Sequence, residues 1–228
     1  MRNLMVPMTV VVLAMAAAGA PQKNTAGSRL APDKGRLRMV IDGQTVGTED
    51  FQISASAGGW NSRADVKIQV PGSPATKISA TLRIGPGERP TSYEWSVDGE
   101  RKVGGKIVFE GGVANEELHQ GTEVFTQQHM FGDQRVVILD NNVYHHFAIL
   151  GRLYDWEKKG PQTFAVYVPQ ETTPGTATLE SAGNQEIDGA RYDLLRMRTD
   201  QLEVFLYFDK QRLMRITLPG SNVVVVRE

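Results

Sequence analysis

Two adjacent histidines, His145 and His146, are the residues whose types most readily suggest chemistry in this 228-residue chain, which contains four histidines in all. They lie in the segment "DNNVYHHFAILGRLYDWEKKG", and His119 and His129 precede that segment. Histidines bind zinc or transfer protons when two or three of them converge on one point. A metal-dependent hydrolase that uses His119, His129 and a helix histidine is therefore one hypothesis.

The spacing of the histidines argues against a shared metal ion. Zinc ligands on a helix are usually three or four residues apart, whereas successive helical residues point about 100° apart. The sequence also contains no G-x-S-x-G motif, no S-x-x-K motif and no glycine loop of the kind that binds phosphate. We therefore predict no catalytic residue, no metal and no cofactor, and expect a protein that is not an enzyme.

The paired histidines belong to a predicted helix over about residues 142–158. Asn141 or Asn142 is a suitable N-cap, and the lysines before Gly160 suit the negative end of the helix. Gly160 followed by Pro161 is a stop signal. One face of this helix is apolar and must be buried; its residues are Val143, Phe147, Leu150 and Tyr154.

Alternating apolar and polar residues predict strands on both sides of the helix. The segment "KISATLRI" is an example, with Ile78, Ala80, Leu82 and Ile84 on one face. Tight turns are predicted at Asp42-Gly43, Asp98-Gly99, Asp188-Gly189 and Asp209-Lys210. We expect a mainly β fold, in which a single curved antiparallel sheet, a half-barrel of about ten to twelve strands, wraps around the one main helix. The alternatives are a β-sandwich or a closed barrel.

The first residues, "MRNLMVPMTVVVLAMAAAGA", have the pattern of a secretory signal peptide, with one positive charge, an apolar run and small residues at the end. We expect a signal peptide at residues 1–18, a flexible leader at 19–34 and a single β-rich domain at 35–228. The chain has no cysteine, so a disulfide and a lipid-modified cysteine are both excluded. These features predict a periplasmic or secreted protein with no membrane span after signal cleavage.

The charge balance limits the class of partner. The chain has 25 basic and 26 acidic side chains and a formal net charge of -1. Binding to nucleic acid normally needs an excess of lysine and arginine, so nucleic acid is disfavoured as a partner.

An apolar cavity between the sheet and the helix would suit a lipid-like ligand. Its expected lining is Trp95, Phe147, Leu150, Tyr154, Phe205 and Tyr207. The first functional hypothesis is thus a soluble exported protein that binds or carries an apolar small molecule or lipid. The alternative is a non-enzymatic envelope scaffold or interaction protein with a filled core, which binds an envelope protein through an edge strand or a loop containing Trp60.

The signal peptide, the meander of strands and the segment "LDNNVYHHFAILGRLYDW" together resemble an exported bacterial β-rich family of unknown function. That family is similar in shape to the periplasmic lipoprotein-localisation (LolA/LolB-like) carriers. The resemblance spans residues 35–228 and carries no catalytic residue to a position of this chain. Because the lipidation cysteine is missing, it implies a soluble carrier and not a tethered acceptor.

Overall fold

A computed structural model describes residues 27–228 of the chain. The signal peptide expected at residues 1–18 lies outside the described residues, as does the leader up to residue 26. Residues 28 to 30 contact the rest of the protein: the Ser28 hydroxyl donates to Glu88, and Leu30 is buried in the core. The first strand begins at Asp33.

The described residues form fifteen strands and one α-helix, α1 (His146–Leu153). The strands are β1 (Asp33–Ile41), β2 (Gln44–Ser56), β3 (Gly59–Ile68), β4 (Thr76–Ile84), β5 (Pro90–Asp98), β6 (Lys102–Glu110), β7 (Val113–Gln120), β8 (Glu123–Met130), β9 (Val136–Ile138), β10 (Gln162–Val168), β11 (Thr173–Ile187), β12 (Ala190–Arg198), β13 (Glu203–Asp209), β14 (Arg212–Leu218) and β15 (Val223–Arg227). Short 3₁₀ helices occupy Pro86–Glu88, Pro169–Glu171 and Pro219–Ser221.

All fifteen strands belong to one sheet, in the order β8-β7-β6-β5-β4-β3-β2-β1-β15-β14-β13-β12-β11-β10-β9. Two wings, β1 to β8 and β9 to β15, therefore meet where β1 pairs with β15. Neighbouring strands are antiparallel except β9 and β10, which are parallel. The expected antiparallel half-barrel of ten to twelve strands is wrong: the sheet is larger and mixed. The alternatives are wrong too, because this is a single sheet and its outermost strands, β8 and β9, do not close it.

Some strands carry polar residues on their buried face, and the alternation of apolar and polar residues does not predict these strands. β2 carries Glu49 among its core residues, and β7 carries Glu116 in the same way. Almost every residue of β8 is polar or exposed, so it has no apolar period at all. Alternation is clear where one face is purely apolar, as in β4, whose predicted face is buried.

Two of the predicted turns have the backbone that a two-residue hairpin needs. At Asp42-Gly43 and at Asp188-Gly189 both residues have positive φ, which is the geometry of a type I′ turn. The hairpin between β13 and β14 turns one residue later than expected, at Lys210 and Gln211. Asp98-Gly99 opens a longer loop, because β6 begins only at Lys102.

Helix α1 is half as long as the sequence predicts, but every one of its residues is buried. It cannot begin at Asn142, because that residue has a φ of 61° and lies in the left-handed region. It ends where Tyr154 turns to an extended conformation, with ψ of 137°. At Gly151 the helix touches the ring of Phe208 on β13, where a Cβ atom would lie 2.7 Å from Cε1. The helix is thus held in close contact with the sheet.

Candidate functional site

The most organised polar group beneath α1 is a buried chain of three side chains from three elements. His145 lies just before the helix, Glu49 on β2 and Ser62 on β3. The His145 Nδ1 atom is 2.5 Å from Glu49 Oε1, and its Nε2 atom is 2.6 Å from Ser62 Oγ. All three residues are at most 1% exposed.

This acid–histidine–serine order is the order of a serine hydrolase triad, in which the histidine activates the hydroxyl for attack on a substrate. Here Ser62 is 1% exposed, whereas a triad needs its nucleophile at a surface that substrate can reach. The three side chains join β2 and β3 to the residue that precedes α1.

Glu49 anchors the backbone that enters the helix. Its Oε2 accepts the backbone N–H of Tyr144 at 2.7 Å and that of His145 at 3.3 Å. A carboxylate at this position also interacts favourably with the positive end of the helix dipole. One side chain of β2 therefore replaces the local N-cap that Asn142 does not supply.

His146, the first residue of α1, is buried beside His145. Among the described residues, neither of its ring nitrogens has a hydrogen-bond partner, although it is 1% exposed. Its ring contacts Tyr93 edge-on at 5.6 Å and lies 4.6 Å from the ring of His145. Burial, and after it the neighbouring His145, lowers the pKa of His146 well below its usual value. The ring is therefore neutral at physiological pH.

A second buried pair fixes the loop before the helix. The Tyr93 hydroxyl donates to Asp140 Oδ2 at 2.7 Å, and Asp140 Oδ1 accepts the backbone N–H groups of Asn141 and Gln170. Burial raises the pKa of Asp140, although these hydrogen bonds oppose the shift. Burial and the adjacent carboxylate raise the pKa of Tyr93 well above its usual range. Both groups hold residues 140–146 against the sheet.

A third cluster lies between the far ends of the two wings. Glu116 on β7 accepts the hydroxyl of Tyr167 on β10 and the side-chain amide of Gln127. His129 Nε2 is 3.9 Å from the same Glu116 carboxylate, and its ring is 4.9 Å from that of Tyr167. Burial and Glu116 raise the pKa of Tyr167 above its usual range. This cluster connects β7 and β8 of one wing to β10 of the other wing.

The structure does not bring the four histidines together. His119 pairs across β7 and β8 with Val124, and His129 pairs with Ala114, so their side chains lie on opposite faces of the sheet. His119 is on the exposed face, 2.7 Å from Glu117. Within residues 27–228 no three or more His, Asp and Glu side chains are placed to hold a metal ion.

The six residues expected to line an apolar cavity separate into two groups. Trp95, Phe147, Leu150 and Tyr154 are buried together in the main hydrophobic cluster. Phe205 and Tyr207 alternate with the core residues of β13 and therefore lie on the other face of the sheet. Trp60, expected in an exposed loop, is 6% exposed, and its Nε1–H donates to Ser28.

One open pocket on the described part of the molecule has a volume of about 620 Å³ and is lined by Pro32, Asp33, Lys34, Gln52, Ile53, Ser54, Arg152 and Arg212. A smaller open pocket, of about 470 Å³, lies over β6, β7 and β8. None of the six expected cavity residues lines either pocket.

Sequence reasoning missed Glu49, Ser62 and Glu116, and one signal could have found them. Each has the same parity in its strand as neighbouring core residues: Glu49 with Phe51, and Ser62 with Ala64. A polar residue at a core-facing position is buried, and a buried polar group needs a partner. No pattern in the sequence says which partner it finds.

Comparison with known proteins adds a distant structural likeness. A DUF1089 family protein from Pseudomonas aeruginosa, determined at 1.80 Å resolution, has a TM-score of 0.45 and 12% sequence identity, covering 76% of this chain and 90% of that chain. No family model and no curated protein matches the chain. Nothing in these comparisons links it to the lipoprotein-localisation carriers, and so weak a likeness carries no argument about fold or function.

Proposed function

We propose that this protein is a non-enzymatic interaction protein of the bacterial envelope, exported to the periplasm or secreted, which binds an extended segment of a partner protein along β8. The observation that carries the proposal is the character of that strand. β8 is an outermost strand of the sheet, and three of the five large hydrophobic residues that the described chain exposes lie in it: Val124, Phe125 and Met130.

The free edge of β8 offers backbone groups as well as apolar side chains. An edge strand presents unpaired N–H and C=O groups, to which an extended peptide can add as a further strand. Soluble proteins usually protect such edges with lysine, proline or a bulge. β8 contains neither proline nor lysine, and its eight residues pair with β7 in continuous register. The backbone N–H and C=O groups on the outer edge of β8 are therefore available to pair with a partner strand.

The strand at the opposite edge of the sheet, β9, is short and buried. β9 has three residues, all of them buried, and its register runs parallel to β10. Residues 140–146 follow it and pack against the sheet through Asp140. A partner strand therefore has room at β8 and not at β9.

The side chains of β8 favour another protein over a second copy of this chain. If two copies paired antiparallel about the centre of β8, Val124 would lie opposite His129, Phe125 opposite Gln128, and Met130 opposite Glu123. Each exposed apolar residue would then face a polar one. About Gln127, Val124 would lie opposite Met130, but Phe125 would still face a polar residue, His129, which gains little from cross-strand contact. A different segment, with apolar residues at those positions, makes better pairs.

A filled core supports this proposal over the transport of an apolar ligand. Trp95 and Leu150 are 3% and 0% exposed and pack in one cluster with the rest of the core. Carrying a lipid-like ligand beneath the helix stays a prediction from the sequence. In addition, no helix among the described residues is both long enough and apolar enough to cross a membrane.

The test combines site-specific crosslinking with edge variants. A photoreactive amino acid at position 125 should crosslink a partner in cells, and the same group at position 202 should not. The partner, once purified, should bind the double variant Val124→Lys/Phe125→Lys at least about tenfold more weakly than the wild type, since lysine on an edge disfavours strand addition.

Leu202→Lys is the matched control, because Leu202 is 40% exposed and lies outside β8. Substitutions at such exposed sites change stability by about 0.5 kcal/mol or less, so folding should be unaffected. Equal binding by the double variant and the control would contradict the proposal. Crosslinking to a second copy of this chain alone would contradict it as well.

A further inference from the structure

The larger open pocket, of about 620 Å³, has an unbalanced charge. Its walls come from the start of β1, the middle of β2, the end of α1 and the turn that begins β14. Of its eight lining residues, one is acidic, Asp33, and three are basic: Lys34, Arg152 and Arg212. We call it the arginine pocket.

Asp33 is shared by three guanidinium groups. Arg152 NH2 is 3.1 Å from its Oδ2, Arg227 NH2 is 2.6 Å from its Oδ1, and Arg212 Nε is 3.9 Å from its Oδ1. The side chains of Asp33, Arg152 and Arg227 are 5%, 6% and 2% exposed. One carboxylate therefore faces two buried guanidinium groups and a third, that of Arg212, whose side chain is 55% exposed, whereas buried charges are normally paired.

Acidic residues on the neighbouring strands do not restore the balance. Glu49, on the core face of β2, is bonded to His145. Asp50 on β2 pairs with Arg36, and Glu228 pairs with Arg38, both on the other face of the sheet. Asp209 stands opposite Arg212 in the β13–β14 hairpin. Within the described chain, however, the carboxylate within 4.0 Å of the Arg212 guanidinium is that of Asp33.

The deeper guanidinium groups are held in fixed positions. Arg152 NH1 donates to the Ala31 carbonyl at 2.5 Å, and Arg227 NH2 donates to the Lys34 carbonyl at 2.6 Å. Burial lowers the pKa of Arg152, Asp33 opposes this shift, and the charges of Arg227 and Arg212 add to it. Arg152 and Arg227 thus repel each other, while their hydrogen bonds hold both in place.

We propose that the arginine pocket binds an anionic ligand whose head group is a phosphate or a carboxylate. Arginine presents planar N–H donors that match the oxygens of both groups, and a ligand anion would supply the negative charge that Asp33 alone cannot. This site is distinct from the β8 edge, and it does not depend on the function proposed above.

The three arginines have different roles in this site. Arg152 lines the pocket and is held by Asp33 and by the Ala31 carbonyl, while Arg227 lies behind it on the same carboxylate. Arg212, whose side chain is 55% exposed, also lines the pocket and is accessible to a bound anion. The pocket is larger than one phosphate needs, so the ligand extends beyond its head group, alongside Gln52 and Ser54.

Calorimetric titration of the full chain tests the proposal, with inorganic phosphate, glycerol 3-phosphate and citrate as probes at low ionic strength. The wild type should bind at least one of them saturably, with an affinity that falls as salt is added. Arg212→Gln removes one charge from an exposed position and should weaken binding about tenfold. Arg38→Gln removes one charge from the opposite face of the sheet and should leave binding unchanged.

Sedimentation with vesicles distinguishes the sources of the anion. Sedimentation with phosphatidylglycerol vesicles, absent with phosphatidylcholine vesicles and reduced by Arg212→Gln, would identify a lipid head group. Saturable binding of a soluble probe without vesicle binding would identify a soluble anion. No binding in any arm, or equal binding by Arg212→Gln and the wild type, would overturn the proposal. The Val124→Lys/Phe125→Lys variant should bind these probes normally, so the two proposals fail separately.

Discussion

Replacing Gly151 by alanine should destabilise the protein, although alanine is the better helix former. In an exposed helix this change would stabilise the fold by about 0.8–1.0 kcal/mol. Here the new methyl group would lie 2.7 Å from Phe208 Cε1 and 3.0 Å from Cε2, and nearer still to Cζ. Ordinary carbon contacts are about 3.5–4.0 Å, so the ring must move by more than about 1 Å.

The ring has no free space to move into, because Phe208 is 0% exposed and packs edge-on against Trp156, with 5.5 Å between the ring centres. Overpacking of a filled core costs about 1–3 kcal/mol. Contacts this short to Phe208 belong in the upper half of that range, about 2–3 kcal/mol, so after the helix preference is subtracted we expect Gly151→Ala to lower the free energy of unfolding by about 1–2 kcal/mol. Urea denaturation followed by tryptophan fluorescence measures this change.

A double-mutant cycle with Phe208→Leu checks the cause. The smaller side chain gives the methyl group room, so Gly151→Ala should cost less in the Phe208→Leu background than in the wild type. An alanine variant as stable as the wild type, or two changes whose effects simply add, would refute the proposed contact as the reason.

Two further predictions concern the buried polar groups beneath α1. Glu49→Ala should lower the free energy of unfolding by about 3–5 kcal/mol, because it leaves the Nδ1 atom of His145 and two backbone N–H groups without a partner. Glu49→Gln should lower it less, because the amide keeps an acceptor oxygen; equal losses in chemical denaturation would contradict this. His146 has a pKa well below its usual value in the folded state, so its stabilising effect is present above about pH 6.5 and is lost as the pH falls. His146→Leu should therefore flatten the loss of stability between about pH 6.5 and pH 5, and an unchanged pH profile would show that another group is responsible.

The sequence reveals those parts of the fold in which one local pattern determines the structure. The four core residues of β4 are recognisable by their spacing, and the positive φ angles at Asp42-Gly43 follow from the turn preference of those two residues. The helix was expected because Phe147 and Leu150 share a face, and both are indeed buried. Each of these signals is carried within a few consecutive residues.

Long-range contacts determine the rest, and no local pattern records them. Helix α1 begins late because Glu49, 96 residues before His145, holds the entering backbone in a different conformation. The position of β9 beside β10 depends on a loop of about twenty residues that contains the helix. The ion pair beside the arginine pocket joins Asp33 to Arg227, which lie 194 residues apart. No local pattern in a single sequence indicates which distant residues contact each other.

The junction between the two wings has a consequence for how the chain folds. β1 pairs with β15, and Arg38 bonds to Glu228, 190 residues later. β1 to β8 can assemble hairpin by hairpin as the chain is synthesised, but the outer edge of β1 stays unpaired until β15 arrives. During that interval the nascent chain exposes a second free strand edge, at Leu37 and Met39. Loss of the final strand would leave this edge open and the two wings unjoined, an arrangement prone to aggregation.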